Sequence, residues 1–188
     1  HFPAETWRRI IEKFERYAKV VFLTATPYRS DGKEVVVGHF AFRLSLKDAR
    51  DQGIIRRTAF TAKDDPNPIE SVLREIKRVQ EEKNRLQPLP NNTPHMAIAM
   101  AKGTEAADEA VVLWNTKVDT PDTAIAYHGE LGSRELQENM TKIKRNNVKL
   151  VVVVYKLQEG FDHPPISIAA ILRKTGSPSA FAQFIGRA

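Results

Sequence analysis

The run VKLVVVV, Val148–Val154, constrains the fold of this chain more than any other stretch. Six of its seven residues are apolar, and five are Val. β-Branched side chains lose freedom in a helix and pack well on a pleated surface. A strand apolar on both faces must be covered on both, which is the mark of a parallel sheet between helices. The neighbouring segments supply the rest of such a sheet. His95–Ala101 reads as a strand, and Thr104 reads as the cap of a helix running to about Trp114. Thr123–Tyr127 is a strand, and Ser133 opens a helix with Leu136, Met140 and Ile143 inward. Ser167–Leu172 is a further strand, and Ser177 reads as an N-cap with Pro178 at the first helical position. This alternation predicts an α/β fold with a doubly wound parallel sheet.

Upstream, Pro3 opens a helix whose Trp7, Ile10, Ile11, Phe14, Tyr17 and Ala18 recur at helical spacing. Lys19–Leu23 reads as a short buried strand, and the polar loop Thr24–Asp31 comes next at its carboxyl end, where α/β sheets place ligands. VVVGHF, beginning at Val35, reads as a strand, and SLKDARDQGII as a short helix stopped by Gly53. Ile69–Leu86 carries a helical stripe of Ile69, Val72, Leu73, Ile76 and Val79. QPLPNNTP then reads as a loop and domain boundary.

Charge and composition narrow the function. The 29 Lys and Arg against 23 Asp and Glu leave a net charge of +6, consistent with a polyanionic partner such as nucleic acid. There is no Cys, so disulfides and thiolate metal sites are excluded, and the five His show no metal-ligand spacing. No apolar run approaches the roughly 20 residues that span a bilayer, and no signal peptide is visible, so the expectation is an intracellular protein with no membrane partner. The triplets NNT and NMT are read as chance. No G-x-G-x-x-G comes after a strand, which disfavours a dinucleotide-binding enzyme.

Three loops of the second half could reach a ligand at the sheet's edge. HGELGS places His128, Gly129 and Gly132 beside a helix start, where backbone amides favour phosphate. In QEGFDHP, Gly160 permits close backbone approach and Asp162 can accept hydrogen bonds from a ribose hydroxyl. QFIGRA puts Phe181, Phe184, Ile185 and Ala188 on one helix face and Gln183 and Arg187 on the other.

Together these segments resemble the superfamily-2 helicases, most closely the DExH-type branch of restriction translocases and DNA-repair helicases. LTATPYRSD is similar to helicase motif III, AIAMAKG has the position of motif IV, and AYHGELGSRE resembles the element after it. VVVVYKLQEGFDHP is similar to motif V, and QFIGRA to the start of motif VI. HFPAETWRRI resembles the segment directly after a DEAH box. Two departures accompany the likeness. No G-x-x-x-x-G-K-[ST] occurs, and DEAV at Asp108 lies inside a predicted helix, not at a strand end where a magnesium-binding acid belongs.

The resemblance implies a RecA-like parallel sheet flanked by helices. Residues 1–60 would be the C-terminal part of a first lobe, 61–94 a linker with a helix, and 95–188 a second lobe truncated in motif VI. It implies ATP and Mg2+ as cofactors, with the Mg2+ ligands and the remaining first-lobe residues outside this chain. Gly160 and Asp162 would approach the nucleotide, Gln183 would orient, and Arg187 would be an arginine finger. Thr24 and Thr26 would couple the ATP site to the nucleic-acid groove. Arg29, Lys102, Gly129, Tyr155 and Lys156 would contact nucleic acid, DNA in preference to RNA. By this reading the intact parent is an ATP-driven helicase or translocase and the fragment alone is inactive. The alternative is a degenerate, non-enzymatic lobe serving as a nucleic-acid or protein binding module.

Overall fold

The computed structural model describes residues 5–21, 23, 41–55, 59, 61, 65, 67–154, 162–173 and 184–185, with backbone alone at 5–8 and 46. The chain divides into two compact units, His1–Thr61 and Ala62–Ala188.

In the first unit, α1 spans Glu5–Phe14 and α2 spans Leu46–Asp51. Ser45 caps α2, its hydroxyl accepting the Asp48 N–H at 3.0 Å. The helix stops as expected at Gly53, whose φ of +71° suits the left-handed turn that a side chain disfavours. The strand expected at Lys19–Leu23 is not formed at its described residues, and Val21 and Leu23 are exposed. A strand is stable only beside others, and the described residues of this unit contain none to pair with it. Pro3 and the VVVGHF segment lie outside the described residues.

The second unit is the α/β sheet that the valine run demands. Its strands are β1 (Met96–Met100), β2 (Ala124–Tyr127), β3 (Leu150–Val153) and β4 (Ile166–Ile171). All pair in parallel, in the order β2-β3-β1-β4. Helix α3 (Pro68–Leu86) precedes β1, α4 (Thr104–Leu113) joins β1 to β2, and α5 (Ser133–Lys144) joins β2 to β3. Gly103, not Thr104, is the N-cap of α4; Thr104 is its first helical residue and makes no capping bond.

Side-chain alternation along β1 sorts the two faces. Ala97, Ala99 and Ala101 point to the side covered by α3 and α4, where Leu73, Ile76, Ala107, Ala110 and Trp114 fill the space the small residues leave. Met96, Ile98 and Met100 point to the other side, against Ile143 of α5 and Phe184. Phe184 is fully buried and Ile185 half-buried, as expected for the apolar face of QFIGRA, while Ser177 lies outside the described residues.

Helix α3 belongs to this packing, although the sequence placed it in a linker. Leu73 and Ile76 sit in the core. Buried Gln80 donates from Nε2 to the carbonyls of His95 (3.2 Å) and Lys149 (2.6 Å), tying the helix to the entries of β1 and β3. At the chain's turn into β1, His95 is held by Ser167 and by the Gln87 carbonyl, both at 2.7 Å.

The edge strand β2 has its open side covered by side chains. After α4 the chain continues as a π-helical turn, Trp114–Val118. That turn aims Asn115 at the strand. Its Oδ1 accepts the N–H groups of Thr123 and Ala124, and its Nδ2 donates to the Ala124 carbonyl. Buried Asn139 of α5 donates to the Ala126 carbonyl at 3.0 Å. Among the described residues no strand pairs with this edge, and these side chains take up several of its backbone groups instead. No helix among the described residues is long and apolar enough to cross a membrane.

Candidate functional site

Parallel strands all end at one edge. In a doubly wound sheet the ligand crevice opens there, where the connections from neighbouring strands leave in opposite directions. From β1 the chain turns toward β2 through α4, and from β3 it turns the other way to β4. The switch therefore lies between β1 and β3, which pair directly.

Two of the expected nucleic-acid residues stand at this edge. Lys102 comes directly after the last buried residue beyond β1 and is exposed. Gly129, two residues beyond β2, is also exposed. Each lies just ahead of a helix start. The N-caps of α4 and α5 are Gly103 and Gly132, and neither helix start carries a side-chain capping bond. Backbone N–H groups of the first turns are therefore left to other partners. Arg29, Tyr155, Lys156, Thr24, Thr26, Gly160, Gln183 and Arg187 lie outside the described residues.

A contact that sequence reasoning missed joins α4 to the end of β2. Ala124 packs on the α4 side of the sheet and Ile125 and Tyr127 on the α5 side. The period of two then sends His128 to the α4 side. There its Nε2 lies 3.1 Å from Oδ1 of Asp108. Asp108 does lie within α4, as expected, and is 58% exposed, whereas the His128 side chain is 4% exposed. The other ring nitrogen, Nδ1, is buried with no hydrogen-bond partner. The alternation along β2 was the signal that could have found the pair, but it needed the strand's register against α4.

Asp162 occupies a different place. It is exposed and lies one residue before His163. His163 Nε2 is 2.8 Å from Oδ1 of Asn146, a residue that lies beyond α5 and leads into β3. The Ile166 N–H donates to the His163 carbonyl as β4 begins. By Asp162 the chain has thus returned to the amino edge, and the residue is not gathered with Lys102 and Gly129. Burial holds the His163 imidazole below its usual pKa, against the opposing charge of Asp162.

The amino edge also carries a polar cluster. Asp119 is gripped by Lys149 at 2.8 Å and Lys77 at 3.6 Å. Burial pushes its carboxyl up, but the Lys149 hydrogen bond, the Thr120 N–H and the two lysine charges outweigh it, and the net pKa is lowered. This cluster anchors the entries of β2 and β3 to α3. Among the described residues, no group of His, Asp and Glu could hold a metal ion.

Comparison with known proteins places these features in a family. Residues 81–188 match the family described as "Helicase conserved C-terminal domain". UvrABC system protein B of Thermosipho africanus (strain TCF52B) is 26% identical over 186 residues, which covers 93% of this chain and 25% of that protein. The chain thus spans about a quarter of the length of that relative. Among solved structures, domain 2 of the Mss116p DEAD-box helicase bound to an RNA duplex aligns with a TM-score of 0.52 at 14% identity, over 64% of this chain and 44% of that one. The Mycobacterium smegmatis helicase Lhr bound to ssDNA and AMP-PNP also aligns at 0.52, with 18% identity, over 68% of this chain and 16% of that one. At such identities the two structures establish the fold.

Proposed function

The chain belongs to the helicase conserved C-terminal domain family, and from that premise we propose that it forms part of an ATP-dependent helicase or translocase moving on nucleic acid. The observation that carries this reading is the pairing of exposed Lys102 and Gly129 at the carboxyl edge of the parallel sheet, each beside a helix start without a side-chain cap. A cation and open backbone N–H groups suit a grip on phosphates that is indifferent to base sequence. Arg29, Tyr155 and Lys156 are further proposed contacts, on the resemblance of their segments to the helicase motifs. DNA is preferred to RNA in this reading, on the resemblance carried by TATPYRSD. One fold relative is bound to ssDNA and another to an RNA duplex.

Nucleotide chemistry is assigned to other residues. ATP, when bound between two lobes, supplies the phosphoryl transfer that drives movement. Toward it, exposed Asp162 offers a carboxylate that can accept from a ribose hydroxyl, and Gly160 lets the backbone come close. Gln183 orients, and the planar cation of Arg187 offsets charge on the equatorial oxygens. Thr24 and Thr26 relay between the two sites. Among the described residues, no cluster of His, Asp and Glu could hold Mg2+.

Salt dependence tests the phosphate grip. Three cations, Arg29, Lys102 and Lys156, each neutralising one phosphate of a single strand, give a slope of log K against log salt of about −2. Fluorescence anisotropy with a labelled oligothymidylate, titrated from low to moderate salt, should return that slope and equal affinities for other base sequences. Affinity independent of salt, or strongly dependent on base sequence, would overturn the proposal.

A further inference from the structure

The Asp108–His128 contact has no place in the roles assigned so far, and it joins α4, the helix that comes after the Lys102 loop, to the residue that precedes the Gly129 turn. On one side, Asp108 sits in α4, the helix that begins directly after Lys102 and Gly103. On the other, His128 is the first residue beyond β2 and directly precedes Gly129. Nothing else in β2 reaches this far: the strand ends at Tyr127, and the turn at Gly129 and Glu130 is exposed.

We infer that Asp108 is a positioning residue for nucleic-acid binding, holding His128, and through it the Gly129–Gly132 turn, at a fixed spacing from the Lys102 end of α4. This inference rests on the reading of Lys102 and Gly129 as phosphate contacts. Consecutive phosphates on a strand are covalently spaced, so two anchors grip well only if their own separation is held. The carboxylate is a hydrogen-bond acceptor only. The imidazole therefore donates to it from Nε2, and the other ring nitrogen, Nδ1, is buried without a hydrogen-bond partner. A buried polar atom without a partner is unfavourable, so the ring is not placed there by its own preference; the Asp108 contact offsets that cost.

Charge makes the inference testable by sign. Asp108 is a largely exposed anion on the helix just beyond a proposed phosphate contact. If it acted only through its field, removing it would tighten binding of a polyanion. As a positioning residue, removing it weakens binding instead. A net hydrogen bond of ordinary strength corresponds to roughly a 2- to 10-fold loss.

The experiment compares this chain with Asp108→Ala and Asp108→Asn, using a fluorescein-labelled single-stranded oligothymidylate at fixed low salt. Side-chain 15N–1H spectra of His128 are recorded on each. The expected result is weaker binding by Asp108→Ala, with the Nε2–H tautomer no longer held. Asp108→Asn keeps an acceptor oxygen and should recover most of both readouts despite losing the charge. Asp108→Ala leaves the buried Nε2–H without its partner, so its melt should fall by a few degrees, whereas the Asp108→Asn melt should stay close to that of the unsubstituted chain. Tighter binding by both variants, or unchanged binding with an unchanged tautomer, would overturn the inference. If the unsubstituted chain shows no salt-sensitive binding at all, the phosphate-grip reading fails first, and this inference falls with it.

Discussion

Replacing Leu73 by Ala probes whether α3 is a connector or a wall of the second unit. Leu73 is 0% exposed and lies in one cluster with Ile76, Ala97, Ala99 and Trp114. The substitution removes three buried carbon atoms. The sheet side of that cluster is made of residues on hydrogen-bonded strands, among them the alanines of the central strand β1, held by strands on both flanks. These cannot move in to fill the space, so transfer and cavity terms both count. The loss should be about 3–4 kcal/mol, a large part of the roughly 5–15 kcal/mol by which a domain is stable. For a unit of this size the melting temperature should fall on the order of 10 °C. Urea denaturation followed by tryptophan fluorescence is the assay, since Trp114 is fully buried in the same cluster and reports its loss. Arg78→Ala on the outer face of the same helix is the control. Its pairs with Glu75 and Glu82 lie on the solvent side of the helix and contribute little to stability. A Leu73→Ala chain within about 0.5 kcal/mol of the original would show that α3 is only a tether and that its burial contributes nothing to the fold.

Two further outcomes are expected. In the intact parent protein, Arg187→Ala should lower ATP hydrolysis on the order of 10³- to 10⁵-fold with nucleotide affinity kept, and Arg187→Lys should rescue poorly for want of the planar fork; side-by-side turnover and nucleotide titrations decide it, and a variant with most of its turnover would make Arg187 a surface charge. Because the folded chain holds His163 below its unfolded pKa of 6.5, the unfolded state binds more protons as pH falls through that value, so stability should be full above it and decline toward the lower folded pKa; denaturation midpoints between pH 7 and pH 5 should show the decline, and His163→Gln should flatten it.

Local sequence was enough to dictate the architecture of the second unit. Five valines in seven residues admit a buried parallel strand and little else, and helical stripes between such strands leave a doubly wound sheet as the packing that covers both faces. It also brought out Lys102 and Gly129 as loop residues after strands, because a residue's place at a strand end is a local property. Helix α3 was equally legible as a helix, from its stripe of Ile69, Val72, Leu73, Ile76 and Val79. What that stripe faces was not legible. Amphipathicity states that a face is buried and leaves the partner open, and the contacts of Leu73 and Gln80 join residues far apart in the chain. The same limit hid Asp108, whose partner is twenty residues away on another element. At Lys19–Leu23 the local signal pointed to a strand, yet strand hydrogen bonds are made between segments, and none is formed at the described residues there. The separation of Asp162 from the carboxyl edge likewise came from the crossing of the chain between β3 and β4. Local pattern decides which element forms; which side chains meet is decided by the register and order of strands, and those are properties of the assembled sheet.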